Sequence, residues 1–580
     1  MKTSINVIAG LTRNPLKAVL SLLVLVGLCT TLQAQTADPD LNREMTIEKD
    51  YVPTVKDANK INRLPDVTAP TAPKTPVQFA NYMSVLDMPS SLSPLKSTAS
   101  AFGSSDQLGY VTLGVSTLPD FSAEAGFQIL RTPTDRLNIY GSHRSGNYTM
   151  KYLQTDEKYK KKINDNTFGL NYLHRFADWK VFADAQYTYA KYNDYGYHDY
   201  LGDIDNWNDN LFSMHLGAAS NDKDELSFLI NATYTLFNQK YGAPKAKNEN
   251  RLVLDFDLNA PLDIDKHIGV EGSIKNYSYS NLDPFDSYHA KNDYTALSVA
   301  PYMLFEGENW QTHLGLSVNK QFGNYDKFLI APDVRFHVQA SDQVLFYISA
   351  TGGFTDNSNY ELFYQNRYID PALRVKDSRT LVNAKFGADF VILPNLNVDV
   401  HTGYRVTDDD WFLVNDYSLV TNTVAYGKAK VFNIGGAVRY TQSLVDFELT
   451  ADYNHWDVSG TMDNDYHGFA SDDMPAFNKP SFIANLKIGY KPVNSLRFDL
   501  IYHLEADRQA GVWALEAIDP LSTEAKLDTI NDLSLKGTYA ITKNFSVFVA
   551  VNNLLFQKYD LTYGYPANPF NLMGGISYKF

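Results

Sequence analysis

From about Gly109 onward this chain is built of runs of ten or more residues in which apolar and polar side chains alternate. Leu226, Phe228, Ile230, Ala232, Tyr234 and Leu236 fall on one face of an extended segment, and Ser227, Asn231, Thr233 and Thr235 on the other. Leu252, Leu254, Phe256 and Leu258 oppose Arg251, Asp255, Asp257 and Asn259 in the same way. So do Val445, Phe447, Leu449, Ala451 and Tyr453 against Asp446, Glu448, Thr450, Asp452 and Asn454. Leu496, Phe498, Leu500, Tyr502 and Leu504 likewise oppose Arg497, Asp499, His503 and Glu505. Strands of a soluble sandwich also alternate, but they usually run about five or six residues. Longer strands that carry fixed charges on one face predict apolar-out, polar-in walls around a wet lumen, which is the pattern of a membrane barrel.

The connections divide into two kinds. Short turns are predicted near Arg131 to Asp135, Ala177-Asp178, Asn221 to Asp224, Pro261 to Asp265, Glu306 to Asn309 and Gln339 to Asp342. Four more fall near Pro394-Asn395, Gln442-Ser443, Val493-Asn494 and Thr542 to Asn544. Between them lie longer polar, aromatic-rich connections such as Asn193 to Asn208, Thr355 to Lys376, Ser459 to Lys479 and Phe556 to Phe570. Short turns at one rim and long loops at the other match the periplasmic and exterior ends of an outer-membrane barrel. Ten short turns imply about 22 strands. Tyr (39) and Phe (33) far outnumber Trp (6). Tyr187, Tyr189, Tyr192, Tyr277, Tyr279, Tyr502 and Tyr539 fall near expected strand ends, where rings with one wet edge form interfacial girdles.

The N-terminus sets the compartment. Lys2, Arg13 and Lys17 precede the apolar run Ala18 to Leu28, and Thr30 to Ala34 supply a small-residue exit. This reads as a secretory signal peptide, residues 1–34, with cleavage after Ala34. The single cysteine, Cys29, lies inside that signal, and Leu28 before it disfavours lipidation, so the mature chain has no thiol chemistry. Losing the three basic residues of the signal takes the net charge from −15 to −18, which disfavours nucleic-acid partners. No later apolar run approaches the length of a transmembrane helix. A membrane location, expected to be the cell outer membrane, therefore requires a closed barrel.

The chain reaches Phe580 through Gly575-Ile576-Ser577-Tyr578-Lys579, with Ile576, Tyr578 and Phe580 on one face. Gly575, Tyr578 and Phe580 match the C-terminal signal by which outer-membrane barrels are handed to the assembly machinery, although Met573 replaces its polar position. Together with Val551-Asn552-Asn553-Leu554-Leu555-Phe556-Gln557-Lys558-Tyr559 and Gly564-Tyr565-Pro566, this segment resembles the end of TonB-dependent outer-membrane receptors. The resemblance is specific over about the last thirty residues and architectural over the rest of residues 107–580. It implies a 22-stranded barrel and uptake of a solute. Asn568-Pro569-Phe570 departs from the Gly-Arg usual in the family.

The front of the chain departs further. Residues 35–106 hold Pro39, Pro53, Pro65, Pro70, Pro73, Pro76, Pro89 and Pro94, which favour extended or coiled chain. A proline-rich periplasmic tail is expected there, too short for the globular plug that the resemblance implies. A wide lumen must then be filled by the tail, by inward-folding loops or by a partner, or else stand open. Within the tail, Glu44-Met45-Thr46-Ile47-Glu48 has the character of a peptide that adds a strand to TonB or another periplasmic protein.

Other candidate sites are ordinary by comparison. Asp203, Asp205, Asn206 and Asp209, then Asp408 to Asp410, then Asp463, Asp465, Asp472 and Asp473 form acidic groups without calcium-loop spacing. Lys158, Lys160, Lys161 and Lys162 are expected at an exterior loop, near lipid phosphates. His198 and His467 sit in acidic loops. No histidine pair, nucleophile elbow or phosphate loop is present, so no catalytic residue, metal or cofactor is assigned and an enzyme is not expected. The all-β reading leaves two functions, passage of a solute or a scaffold whose tail recruits a partner.

Overall fold

A computed structural model describes residues 108–580, apart from 156, 197–205, 221–225, 242–244, 282–292, 324–325, 371–372, 374, 417–420, 464–467 and 514–522. The expected signal peptide and tail, with Glu44 to Glu48, lie outside the described residues. The first strands are β1 (Gly109–Ser116), β2 (Asp120–Arg131), β3 (Asp135–Lys151), β4 (Lys158–Arg175), β5 (Trp179–Asn193), β6 (Asn206–Ser220) and β7 (Ser227–Tyr241). Next come β8 (Lys245–Asp263), β9 (Lys266–Asn281), β10 (Tyr294–Glu306), β11 (Trp310–Gly323), β12 (Lys327–Ser341) and β13 (Val344–Thr355). A short helix, α1 (Asn359–Gln365), precedes β14 (Ser378–Leu393), β15 (Leu396–Asp416), β16 (Thr421–Thr441), β17 (Val445–Asp463) and β18 (Gly468–Met474). The remainder are β19 (Phe482–Val493), β20 (Leu496–Ala506), β21 (Arg508–Trp513), β22 (Thr523–Leu527), β23 (Ile530–Ala540), β24 (Phe545–Asn552), β25 (Asp560–Thr562), β26 (Tyr565–Pro566) and β27 (Asn571–Lys579).

Twenty-two of these strands close a ring. β1 to β17 pair in sequence, then β17 with β19, β19 with β20, β20 with β23, β23 with β24, β24 with β27, and β27 with β1. All of these pairings are antiparallel, and nine of the ten expected short turns fall at junctions of consecutive strands on one rim, while Asn221 to Asp224 lies outside the described residues. β18, β21 and β22 are extensions of the opposite rim, so part of the connection expected over Ser459 to Lys479 is sheet rather than loop. Alternation sorts the side chains as expected. Ile230, Tyr234, Leu252, Leu254, Ile576, Tyr578 and Phe580 face outward and are exposed to the bilayer, while Asp446, Glu448 and Arg497 face the lumen. Those inner charges are paired, Arg497 with Asp446 at 3.0 Å and Arg439 with Glu448 at 3.3 Å.

Two expected loop clusters prove to be strand. Lys158, Lys160, Lys161 and Lys162 lie on β4, where the period of two splits them. Lys158, Lys160 and Lys162 are exposed, and Lys161 is buried against the Tyr195 ring at 4.2 Å. Asp408, Asp409 and Asp410 lie on β15 beside a bulge, where they pair with Lys428 (3.3 Å), Arg379 (3.0 Å) and Arg405 (3.3 Å). Of the first acidic group, Asn206 and Asp209 lie on β6, with Asp209 buried, while Asp203 and Asp205, the acidic group at 463–473, His198 and His467 fall outside the described side chains.

The wall is uneven in height. β1, β24 and β27 have 8, 8 and 9 residues, whereas β15 and β16 have 21 each. The seam at β1–β27 is tight. A Cβ on Gly575 would stand 2.3 Å from the Leu113 carbonyl oxygen of β1 and 2.2 Å from the Phe548 ring of β24. One of the two neighbouring strands would have to retreat, leaving unpaired backbone in lipid. Gly575→Val is therefore expected to abolish the heat-modifiable folded band on gels. Gly574→Ala, where a Cβ meets nothing within 4 Å, is expected to keep it.

Candidate functional site

The inner face at the long-loop rim is aromatic as well as charged. Tyr192 shares its strand face with Gln186 and Thr188, and Tyr277 and Tyr279 share theirs with Ser273 and Lys275. All three tyrosines point into the mouth and are almost completely buried, at 1, 0 and 4% exposure. The girdle position expected for them is thus incorrect, because parity places them on the polar face. Tyr187 and Tyr539 do lie on the exposed outer surface.

The segment between β13 and β14 covers these rings. α1 is capped by Ser358, whose hydroxyl accepts from the Glu361 N–H at 3.3 Å, and it buries Leu362. Its start is pinned to β8 and β9. Arg251 reaches Asp356 and Glu361, both at 2.7 Å, the Tyr277 hydroxyl donates to Asp356 at 2.5 Å, and the Asn359 N–H donates to Glu249 at 2.8 Å. Beyond the helix, Arg367 makes a two-pronged ion pair with Asp165 of β4, at 2.8 and 3.1 Å, and lies 3.9 Å over the Tyr192 ring. Tyr192 in turn donates to the Arg367 carbonyl at 3.0 Å. Ile369 forms a parallel bridge to Asn422 at the start of β16. β4 and β14 are ten places apart in the ring of twenty-two, so one segment ties opposite walls together.

A second loop, between β24 and β27, completes the cover. Tyr565 packs edge-on to Tyr195 at 5.3 Å and tilted to Tyr368 at 5.0 Å, and its hydroxyl donates to Asp194 at 3.1 Å. The Trp207 indole also donates to Asp194, at 3.3 Å. Tyr563 offers its carbonyl to Asn415 of β15 at 2.8 Å. Arg508 donates to the carbonyls of Asp560, at 3.0 Å, and Leu561. Tyr192, Tyr195, Trp207, Tyr368 and Tyr565 form one packed cluster with Ile163 and Ala190. Rings and paired charges drawn from opposite walls thus meet across the mouth.

Below this cap, β7 to β13 line a polar cavity of about 470 Å³. Asp255, Asp257, Glu271, Asp333 and Arg335 supply its charged lining. The Ser273 hydroxyl donates to Asp255 at 2.6 Å, and Tyr302 donates to Asp257 at 2.8 Å. His313, on the same wall, lies 2.9 Å from Asp333 and stacks on Tyr302 at 4.4 Å. Sequence spacing cannot reveal this group, because its members come from separate strands and share only the inward parity. Gly575, Tyr578 and Phe580 lie apart from both features, at the seam, with the two rings facing lipid.

No protein-family model matches the sequence, and no curated protein matches it. The fold does match solved structures. The FrpB iron transporter from Neisseria meningitidis aligns over 83% of this chain and 82% of its own, with a TM-score of 0.65 and 10% identity. The siderophore receptor PirA from Acinetobacter baumannii aligns over 82 and 81%, with a TM-score of 0.61 and 11% identity. The copper transporter OprC aligns over 83 and 81%, with a TM-score of 0.59 and 14% identity. The chain has the same barrel fold as these transporters and this receptor. At these identities the likeness concerns the fold.

Two consequences of the cap of this receptor-type barrel are measurable. Burial pushes the Asp194 carboxyl up to about 6, with hydrogen bonds from Gly196, Trp207 and Tyr565 only partly offsetting it. Burial does the same to Asp560, also to about 6, against hydrogen bonds from Gln154 and Gly564. Both groups return toward about 4 when the loops open, so closing takes up protons. Cap stability should fall as pH rises from about 4 and level off above about 6. Hydrogen exchange in residues 556–570 should report an opening constant roughly tenfold or more larger at pH 7.5 than at pH 4.5, after correction for intrinsic rates. Asp194→Asn should lessen that dependence, leaving the part due to Asp560. Separately, Arg367→Ala should weaken the cap by about 2 kcal/mol, seen as faster proteolysis of residues 356–377 with unchanged heat-modifiable migration.

Proposed function

We propose that this protein is an outer-membrane transport barrel that passes a solute through a lumen gated at the cell surface by its own loops. The carrying observation is the tie of Arg367 to Asp165 across the mouth, backed by the aromatic cluster around Tyr368 and Tyr565. A ring of 22 strands is too wide for wall side chains alone to fill, so a closed outer mouth is what keeps such a barrel from leaking. The receptor and transporter structures that share the fold support the same reading.

In this proposal, residues 1–34 direct export and residues 35–106 are a periplasmic tail. Glu44-Met45-Thr46-Ile47-Glu48 is the peptide that meets a TonB-like partner, and Gly575, Tyr578 and Phe580 are read by the assembly machinery. Strand addition is the chemistry of the tail contact, since main-chain pairing gives affinity with few side-chain demands.

Bridged residues in parallel strands suit a disulfide, and a chain whose single cysteine lies in the signal is clean for the purpose. Ile369→Cys with Asn422→Cys is expected to lock the cap. Oxidised protein in liposomes should then hold currents near zero, and reducing agent should restore excursions to conducting levels. Replacing residues 357–376 by a short Gly-Ser linker should raise conductance severalfold. A linker variant as silent as the parent would overturn gating by these loops. For the tail, a peptide spanning residues 35–60 should bind the periplasmic domain of TonB at high micromolar concentration; no binding there removes that part of the proposal.

A further inference from the structure

We propose that Glu271, His313 and Asp333 form a binding site for a divalent transition-metal ion on the lumen wall, independent of whether the barrel transports. The three residues come from β9, β11 and β12, and each offers one donor atom, all within 4.8 Å of one another. One imidazole nitrogen and two carboxylate oxygens suit zinc, cobalt and similar ions. His313 Nε2 and Asp333 Oδ2 are 2.9 Å apart, a separation at which two adjacent ligands can share one ion.

The surroundings hold these donors in place. The His313 ring lies flat against Tyr302, with centroids 4.4 Å apart and planes at 22°. The Tyr302 hydroxyl is itself fixed, donating to Asp257 at 2.8 Å and accepting from Asn259 at 3.1 Å. Gly315 lets ring and carboxylate crowd onto one patch of β11. A Cβ there would stand 3.1 Å from Tyr302 Cβ and 3.2 Å from Asp333 Oδ2. Support of this kind, which fixes a ligand's orientation before the metal arrives, is what metal sites rely on.

Charge favours a cation. Asp255, Asp257, Glu271 and Asp333 line the cavity, and among the described residues Arg335 is the one cationic side chain lining it. Arg335 already bridges two of the proposed ligands, at 2.9 Å from Asp333 and 3.6 Å from Glu271. Its position shows that these carboxylates hold positive charge between them. One guanidinium leaves one carboxylate charge unbalanced, and a divalent ion balances both. Arg335 is about one-third exposed and faces the open cavity, so its flexible stem has room to swing aside.

The test uses the whole purified chain in detergent, titrated with Co²⁺ by visible absorption and with Zn²⁺ by calorimetry. One ion per barrel is expected, with a change in the visible cobalt band that marks its transfer from water to the protein's ligands. His313→Ala and Glu271→Gln should each weaken binding tenfold or more. Arg335→Ala should strengthen it about tenfold, because the competing cation is gone; an ion held elsewhere on the barrel has no reason to respond. Heat-modifiable migration confirms folding of each variant, and Glu271→Gln carries the test should His313→Ala fail to fold. No saturable binding up to 1 mM, or binding that neither Glu271→Gln nor Arg335→Ala alters, would overturn the site. Neither result touches the gating proposal, which conductance decides.

Discussion

A strand in lipid has no water to satisfy its backbone, and that one requirement governs most of this molecule. Every main-chain N–H and C=O at membrane depth must find a neighbour, so the sheet has to return on itself. β27 meets β1 over seven registered pairs from Tyr110–Lys579 to Ser116–Met573. The missing side chain at Gly575, the inward hydroxyl contact of Thr112 with Ser577 at 2.9 Å, and the outward ring of Tyr578 all serve that closure. Once the ring is closed, outer residues need only be apolar. The inner face is then free to carry charge, aromatic rings and whatever chemistry the protein performs.

The inner face uses that freedom at two depths. At the exterior rim, long strands lift tyrosines and charged side chains above the middle of the wall, where loops descend and bury them. Burial of aromatic rings supplies cohesion, and ion pairs such as Arg367–Asp165 and Arg251–Asp356 fix which wall each loop reaches. Deeper in the lumen, small residues such as Ser298, Ala300, Gly315 and Ser317 leave a hollow with carboxylates at its edge. The upper device is held together by contacts between loops and walls. The lower one is acidic.

The fold was largely legible in the sequence because its two strongest signals are local. A period of two over long segments and a ten-turn rhythm are written in neighbouring residues, and the strand count follows from them. Parity also predicted which residues of β7, β8, β17 and β20 face lipid. The same rule, applied to Tyr192, Tyr277 and Tyr279, would have placed them inside, but their position near strand ends suggested a girdle. Lys158 to Lys162 were misread for a related reason, since a dense basic run suggests a loop while β4 simply continues through it. The cap and the Glu271–His313–Asp333 group were illegible because they depend on strands or loops far apart in sequence meeting across or along the wall. Nothing near Arg367 in the chain announces Asp165.

The uneven wall has a mechanical consequence. A strand of eight residues such as β1, tilted as barrel strands are, stands only about 20 Å high, short of the apolar band of about 25 Å that such barrels usually present. β27 beside it and β24 next in the ring have 9 and 8 residues, so hydrophobic mismatch concentrates at one side of the ring. There the bilayer must pinch to avoid wetting its own hydrocarbon, at a cost of fractions of a kcal/mol per ångström. The stretch of wall where the two ends of the barrel sheet were joined is thus also the place where the surrounding lipid is thinnest and most strained.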